Sequence, residues 1–176
     1  REDALSVEEA ALAMVRRLGA SEASILATQS NLAVTYGELG NMEKALSMKR
    51  DVYSGCLRLY GEEHEETLRA ANNYTNSLFD LRRFKEGKTL LRKRIPLARR
   101  ALGEGHRLTL KMRSTYARAL FDDTNATLDD LREAVTTLEE IEPIARRVLG
   151  GAHPLTVVIE DELQDARDAL HTRGLP

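Results

Sequence analysis

Apolar side chains recur along this chain at intervals of three and four residues. From Thr67 to Leu81 they stand at Ala71, Tyr74, Leu78 and Leu81 with mostly polar residues between them, the spacing that gathers them on one face of a helix. A second helical stretch, Phe84 to Leu102, follows a short polar break and stops at Gly103. Glycine adopts the left-handed closing conformation at least cost. The pattern predicts a helical hairpin.

That hairpin repeats. Gly61 to Thr67, Gly103 to Thr109 and Gly150 to Thr156 share the form G-x-x-H-x-x-T, with a degraded copy at Gly19, and the four glycines are spaced 42, 42 and 47 residues. A fixed period of this length is the signature of a repeat architecture. The expected organisation is one array: a half repeat at 1–18, repeats at 19–60, 61–102 and 103–149, and a terminal helix at 150–176. The fold class that follows is all-α, eight helices in antiparallel pairs. The third repeat's five extra residues fall at 123–130, where Thr127 before Asp129 and Asp130 reads as a cap opening a longer second helix. The recurring phrase PLARRALGEGHRLTL, matched by PIARRVLGGAHPLTV, is the joint between hairpins. Pro96 and Pro143 hold matching places late in the second helices, where a proline should bend them.

Composition supports helices: only four prolines, no tryptophan, and 42% hydrophobic with 31% charged residues. The single Cys56 forms no internal disulfide, and no apolar run reaches the ~18 residues of a membrane span. The chain starts at Arg1 directly in helical pattern and reads as a cytoplasmic segment of a longer protein, without membrane insertion. Asn125-Ala126-Thr127 matches a glycosylation sequon and is read as a loop start. No phosphate loop, paired CxxC or Ser-His-Asp arrangement is present, so no enzyme and no cofactor is expected. His64, His106 and His153 share one repeat position, too far apart on stacked helices to be common ligands of a metal. Their expected duty is to start helices, His153-Pro154 being the clearest case. Cys56 aligns with Ala98 and Ala145, a small packing position.

By length alone the period also fits HEAT or armadillo units. The interior spacing separates them: Leu32-Ala33-x-x-Tyr36 with Gly40 and Ala45 resembles a tetratricopeptide unit, followed by Tyr74, Thr75, Leu78 and Gly87, then Tyr116, Ala117, Leu120 and Ala134. With Leu149-Gly-Gly-Ala-His-Pro-Leu-Thr156 and Asn31-Leu-Ala-Val-Thr-Tyr36, the stretch from Leu18 to Leu170 resembles the long tetratricopeptide (TPR) arrays of kinesin light chains. The sequence departs from that pattern at Asn73-Tyr-Thr, at Thr115-Tyr-Ala and at Glu22, where the other repeats have histidine. The resemblance implies a right-handed α-solenoid, a TPR-like superhelix whose first helices line a concave face. It also implies a protein-binding scaffold, since family members hold short acidic, aromatic-containing peptides there.

Counting from the Tyr74 and Tyr116 register, the residues expected to line that groove are Arg69, Asn72, Asn76, Phe79 and Asp80, then Lys111, Ser114, Arg118, Phe121 and Asp122. Their types suit an extended peptide with acidic residues and an apolar anchor. Charge adds an alternative. Residues 1–80 hold 8 basic and 13 acidic side chains, 81–118 hold 13 and 2, and 119–176 hold 5 and 13. The basic run Arg82, Arg83, Lys85, Lys88, Arg92, Lys93, Arg94, Arg99, Arg100 could bind nucleic acid or another polyanion through phosphates. A third reading is a structural subunit of a larger assembly, the acidic last helix (Glu160, Asp161, Glu162, Asp165, Asp168) favouring head-to-tail self-association.

Overall fold

A computed structural model describes residues 2–174. Eight α-helices, and no strand among the described residues, follow one another: α1 (Glu2–Arg17), α2 (Glu22–Glu38), α3 (Met42–Tyr60), α4 (Glu65–Asp80), α5 (Phe84–Leu102), α6 (Arg107–Asp122), α7 (Leu128–Leu149) and α8 (Pro154–Gly174). They form two compact units, Arg1–Arg83 and Phe84–Pro176. The division falls in the turn between α4 and α5, inside the second sequence repeat. Each unit is a stack of antiparallel helices of the α-solenoid type.

The joints explain the repeated phrase. Gly61, Gly103 and Gly150 have φ of 85°, 94° and 93°, a conformation that would strain any side chain. Three residues later comes a histidine whose ring starts the next helix. Nδ1 of His64, His106 and His153 accepts a hydrogen bond from the backbone N–H of Glu66, Leu108 and Leu155, at 3.2, 3.3 and 3.1 Å. This satisfies an amide that the helix itself leaves without a partner. In the first repeat Ser21 does the same for Ser24 at 3.2 Å. Thr67 and Thr109, at one repeat position, donate to the carbonyls of Cys56 and Ala98 on the preceding helix. Thr127 caps α7 through a reciprocal box with Asp130. The backbone N–H and then the hydroxyl of Thr127 hold the Asp130 carboxyl below its usual range. Pro96 and Pro143 lie inside α5 and α7, which continue through them.

In the second and third pairs the first helix is the more deeply buried one, whereas in the first pair α2 buries four of seventeen residues and α3 six of nineteen. Nine of sixteen residues of α4 and eleven of sixteen of α6 are buried, against four of nineteen in α5 and five of twenty-two in α7. The core of unit 1 includes Leu12, Leu32, Tyr36 and Ala45, with Leu5, Val15, Ile25 and Met48 against them. Unit 2 fully buries Leu91, Leu110, Met112, Leu120, Leu131, Leu138, Ile141 and Ile159. Cys56, Ala98 and Ala145 are buried at their shared position.

Each unit also has a tyrosine tying its own helix to two neighbouring ones. Tyr36 donates to Glu9 of α1 and accepts from Lys44 of α3, whose ammonium also lies 3.9 Å from the ring centroid. Tyr116 donates to Glu133 of α7 at 2.7 Å and accepts from Arg92 of α5 at 2.6 Å. Burial, then Glu133, pushes the Tyr116 hydroxyl well above its usual range. It stays protonated, as a donor must.

Candidate functional site

The ten groove positions read from sequence do not share one environment. On α4, Arg69 and Asp80 are exposed and Asn76 is half-buried, whereas Asn72 is 1% exposed and Phe79 is 7% exposed. On α6, Lys111 and Asp122 are exposed, Arg118 and Phe121 are half-buried, and Ser114 is 3% exposed, its hydroxyl donating to Glu162 of α8 at 2.5 Å. Asn72, Phe79 and Ser114 were expected on an open face and lie inside. An inner helix here is packed on more sides than the single stripe its periodicity reveals. Three of the charged members are engaged too: Arg69 pairs with Glu65 at 2.5 Å and Glu66 at 3.5 Å, and Arg118 lies 4.0 Å from Asp122.

Unit 1 contains an open cleft that joins one of these residues to others unseen in the sequence. No Cα of α2 comes within 8 Å of one in α4, although both helices pack on α3. The space between them, about 200 Å³, has Ala23, Leu26, Ala27 and Ser30 of α2 on one side. Glu66, Arg69, Ala70 and Asn73 of α4 form the other, over a floor of Val52, Cys56 and Tyr60 of α3. A cavity of ~150 Å³ is enough for a benzene ring, so this one accommodates a branched or aromatic side chain. Its lining combines apolar side chains with the polar Ser30, Glu66, Arg69 and Asn73. The Cys56 thiol in its floor is pushed up by burial and by nearby Glu66, so it stays a neutral wall rather than a nucleophile. Small residues at Ala23, Ala27 and Ala70 were the available sequence signal. They leave room that a leucine would fill.

The basic run is largely engaged within the chain. Lys88 pairs with Asp123 at 2.9 Å, both mostly buried. Burial would raise the Asp123 carboxyl, but hydrogen bonds from Lys88 and the Asn125 backbone N–H outweigh it and hold Asp123 below its usual range. Arg92 is shared between Tyr116 and Glu133, and Arg99 binds Glu104. Arg82, Arg83, Arg100, Lys85 and Lys93 are exposed and Arg94 is half-buried, Lys85 and Lys93 flanking a shallow depression with Thr89 and Leu90. Among the described residues no group of three or more His, Cys, Asp or Glu is placed to hold a metal, and no helix is long and apolar enough to cross a membrane.

Comparisons with known proteins agree with this architecture. Residues 24–93 match the tetratricopeptide repeat family. No curated protein matches the chain. Among solved structures it is similar to the nearly identical TPR-like repeats of a Podosopora anserina kinesin light chain, in two forms. A point variant superposes with a TM-score of 0.80 and the other form with 0.78, each 24% identical, covering 98% of this chain and 80% of that one. BtubC (BKLC) from P. vanneervenii superposes with a TM-score of 0.65 at 14% identity, covering 98% of this chain and 74% of that one. At such identities the likeness shows the fold. Fold, joints and repeat spacing together make this chain a TPR-like repeat array resembling the TPR repeats of kinesin light chains.

Proposed function

We propose that the chain is a non-catalytic protein-interaction scaffold that captures an extended segment of a partner protein, anchored by one apolar side chain in the cleft between α2 and α4. The separation of these two helices over an apolar floor carries the reading. Burying a leucine-sized side chain there contributes roughly 1.5–3 kcal/mol, and the Asn73 amide and Ser30 hydroxyl can pair with the segment's backbone. Arg69 at the rim favours an acidic neighbour. Because Arg69 already pairs with Glu65 and Glu66, and exposed ion pairs contribute ~0–1 kcal/mol, the apolar anchor governs affinity and the acid adds selectivity. On α6, Lys111, Arg118, Phe121 and Asp122 offer unit 2 a companion surface of the same chemistry.

Ala27 is exposed at the cleft's edge, so Ala27→Trp fills the space without disturbing the core. Peptides selected from a displayed random library against the wild-type chain should carry a conserved Leu, Ile, Val or Phe. Their affinity for Ala27→Trp should fall at least about tenfold, a loss of ~1.4 kcal/mol. Selected peptides that bind both proteins equally well would show that the cleft is not the site.

A further inference from the structure

Unit 2 contains the same three-helix arrangement, and the repeat register says what became of the cleft. Gly19 corresponds to Gly103 and Gly61 to Gly150, so Ser30 of α2 matches Ser114 of α6, and Asn73 and Ala70 of α4 match Glu162 and Ile159 of α8. In unit 1 these positions face each other across open space. In unit 2, α6 packs directly on α8, the Ser114 hydroxyl donates to Glu162, and Ile159 is fully buried.

We infer that unit 2 holds a latent second copy of the cleft, closed by the Ser114–Glu162 contact and opened when the Glu162 carboxyl loses its proton to solvent. The inference rests on reading the unit 1 cleft as a side-chain pocket. Opened, the unit 2 copy takes the same class of ligand, an apolar side chain of an extended segment, over Ile141 and Ala145 in place of Val52 and Cys56. A carboxyl 8% exposed in a helix seam is tolerated neutral and costly as an anion.

The surrounding charges do not reverse this. From α6, Arg118 favours the anion, but it is shared with Asp122, which opposes it; from α8 itself, Asp165 opposes it as well. From α7, Arg146 and Glu139 engage Glu160 and Arg167, each at 2.7 Å, and so keep α8 fastened to α7 while its α6 side lets go. Burial first, against the pull of Ser114 and Arg118, pushes the Glu162 carboxyl up to about 7. The sign follows from a folded value above the unfolded one: closure is most favoured at low pH and is lost as pH rises through the folded value.

Three measurements on the free chain, none needing a partner, test this: one titration and two readouts of opening. Carbon NMR should show the Glu162 carboxyl titrating near neutrality. Amide exchange along α8, corrected for its intrinsic pH dependence, should accelerate severalfold between about pH 6 and about pH 8, together with binding of the apolar dye anilinonaphthalene sulfonate. Glu162→Gln, which keeps the hydrogen bond and lacks the charge, should stay flat in both. Asp165→Asn, at an exposed site, removes a negative charge that holds the Glu162 carboxyl up; the Glu162 titration should move to lower pH and the pH-driven opening should weaken, which provides the test if Glu162→Gln does not fold. Titration in the ordinary carboxylate range, or α8 exchange that ignores pH or rises equally in Glu162→Gln, overturns the inference. Peptide capture through Ala27 in unit 1 would be untouched by that failure.

Discussion

Arg82 shows how far a single position can be read. Its φ is 58°, the one positive value among the described non-glycine residues, and Gly40 holds the corresponding place between α2 and α3 at 82°. The two turns are built alike: Gly40 and Asn41 donate to Gly37 and Tyr36, and Arg82 and Arg83 donate to Phe79 and Leu78. The left-handed conformation was legible where a glycine announced it. It was invisible where an arginine bears the strain, roughly 1–2 kcal/mol for an L-residue. Arg82→Gly should relieve part of that strain, offset by the added freedom of the unfolded chain. The expected gain is about 0.5–1 kcal/mol, read as a higher urea midpoint; an unchanged or lower midpoint would mean that the side chain of Arg82 repays its strain. The histidines were legible for a related reason, since a cap acts on amides two residues away and needs no distant partner.

At the scale of elements, periodicity revealed which segments are helices and how they pair, because a hairpin is settled by its own turn and stripe. It did not reveal which face of an inner helix stays open. Ser114 and Asn72 looked outward from the Tyr register, yet both are buried, and the Ser114 hydroxyl meets Glu162, contributed by the next repeat. Gly55 makes the same point for the cleft. It is buried in mid-helix, where glycine costs ~1 kcal/mol relative to alanine, and a Cβ there would lie 2.5 Å from Cδ2 of Leu26. The glycine lets Leu26 lie along α3 as part of the cleft wall. Gly55→Ala should push the flexible end of Leu26 into the cleft. Stability should change little, as helix propensity offsets repacking of ~1–3 kcal/mol. Affinity for a peptide selected on the wild type should drop severalfold by fluorescence anisotropy, and an unchanged affinity would show that Leu26 does not border the bound segment.

For the whole molecule, the sequence displayed a basic middle between acidic flanks, and the fold changes what that means. Unit 2 draws on both: residues 84–176 hold sixteen basic and fifteen acidic side chains. Lys88 with Asp123, Arg92 with Glu133 and Arg113 with Glu140 join the basic stretch to the acidic one that follows it. A charge run that looked like a phosphate-binding face in one dimension is largely neutralised in three. Lys85 and Lys93 are exposed on α5, whereas Arg82, Arg83, Arg94 and Arg100 are engaged in interactions of their own, so binding to DNA should depend mainly on the two lysines. Each phosphate neutralised contributes a slope of about −0.9 to the dependence of log affinity on log salt. With a duplex of ~20 base pairs in dilute buffer, the slope should be no steeper than about −2. Charge reversal at Lys85 and Lys93 should remove most of what binding there is. A slope of about −5 or beyond would require the Lys88 and Arg92 pairs to open onto phosphates, and would restore the polyanion reading over the peptide one.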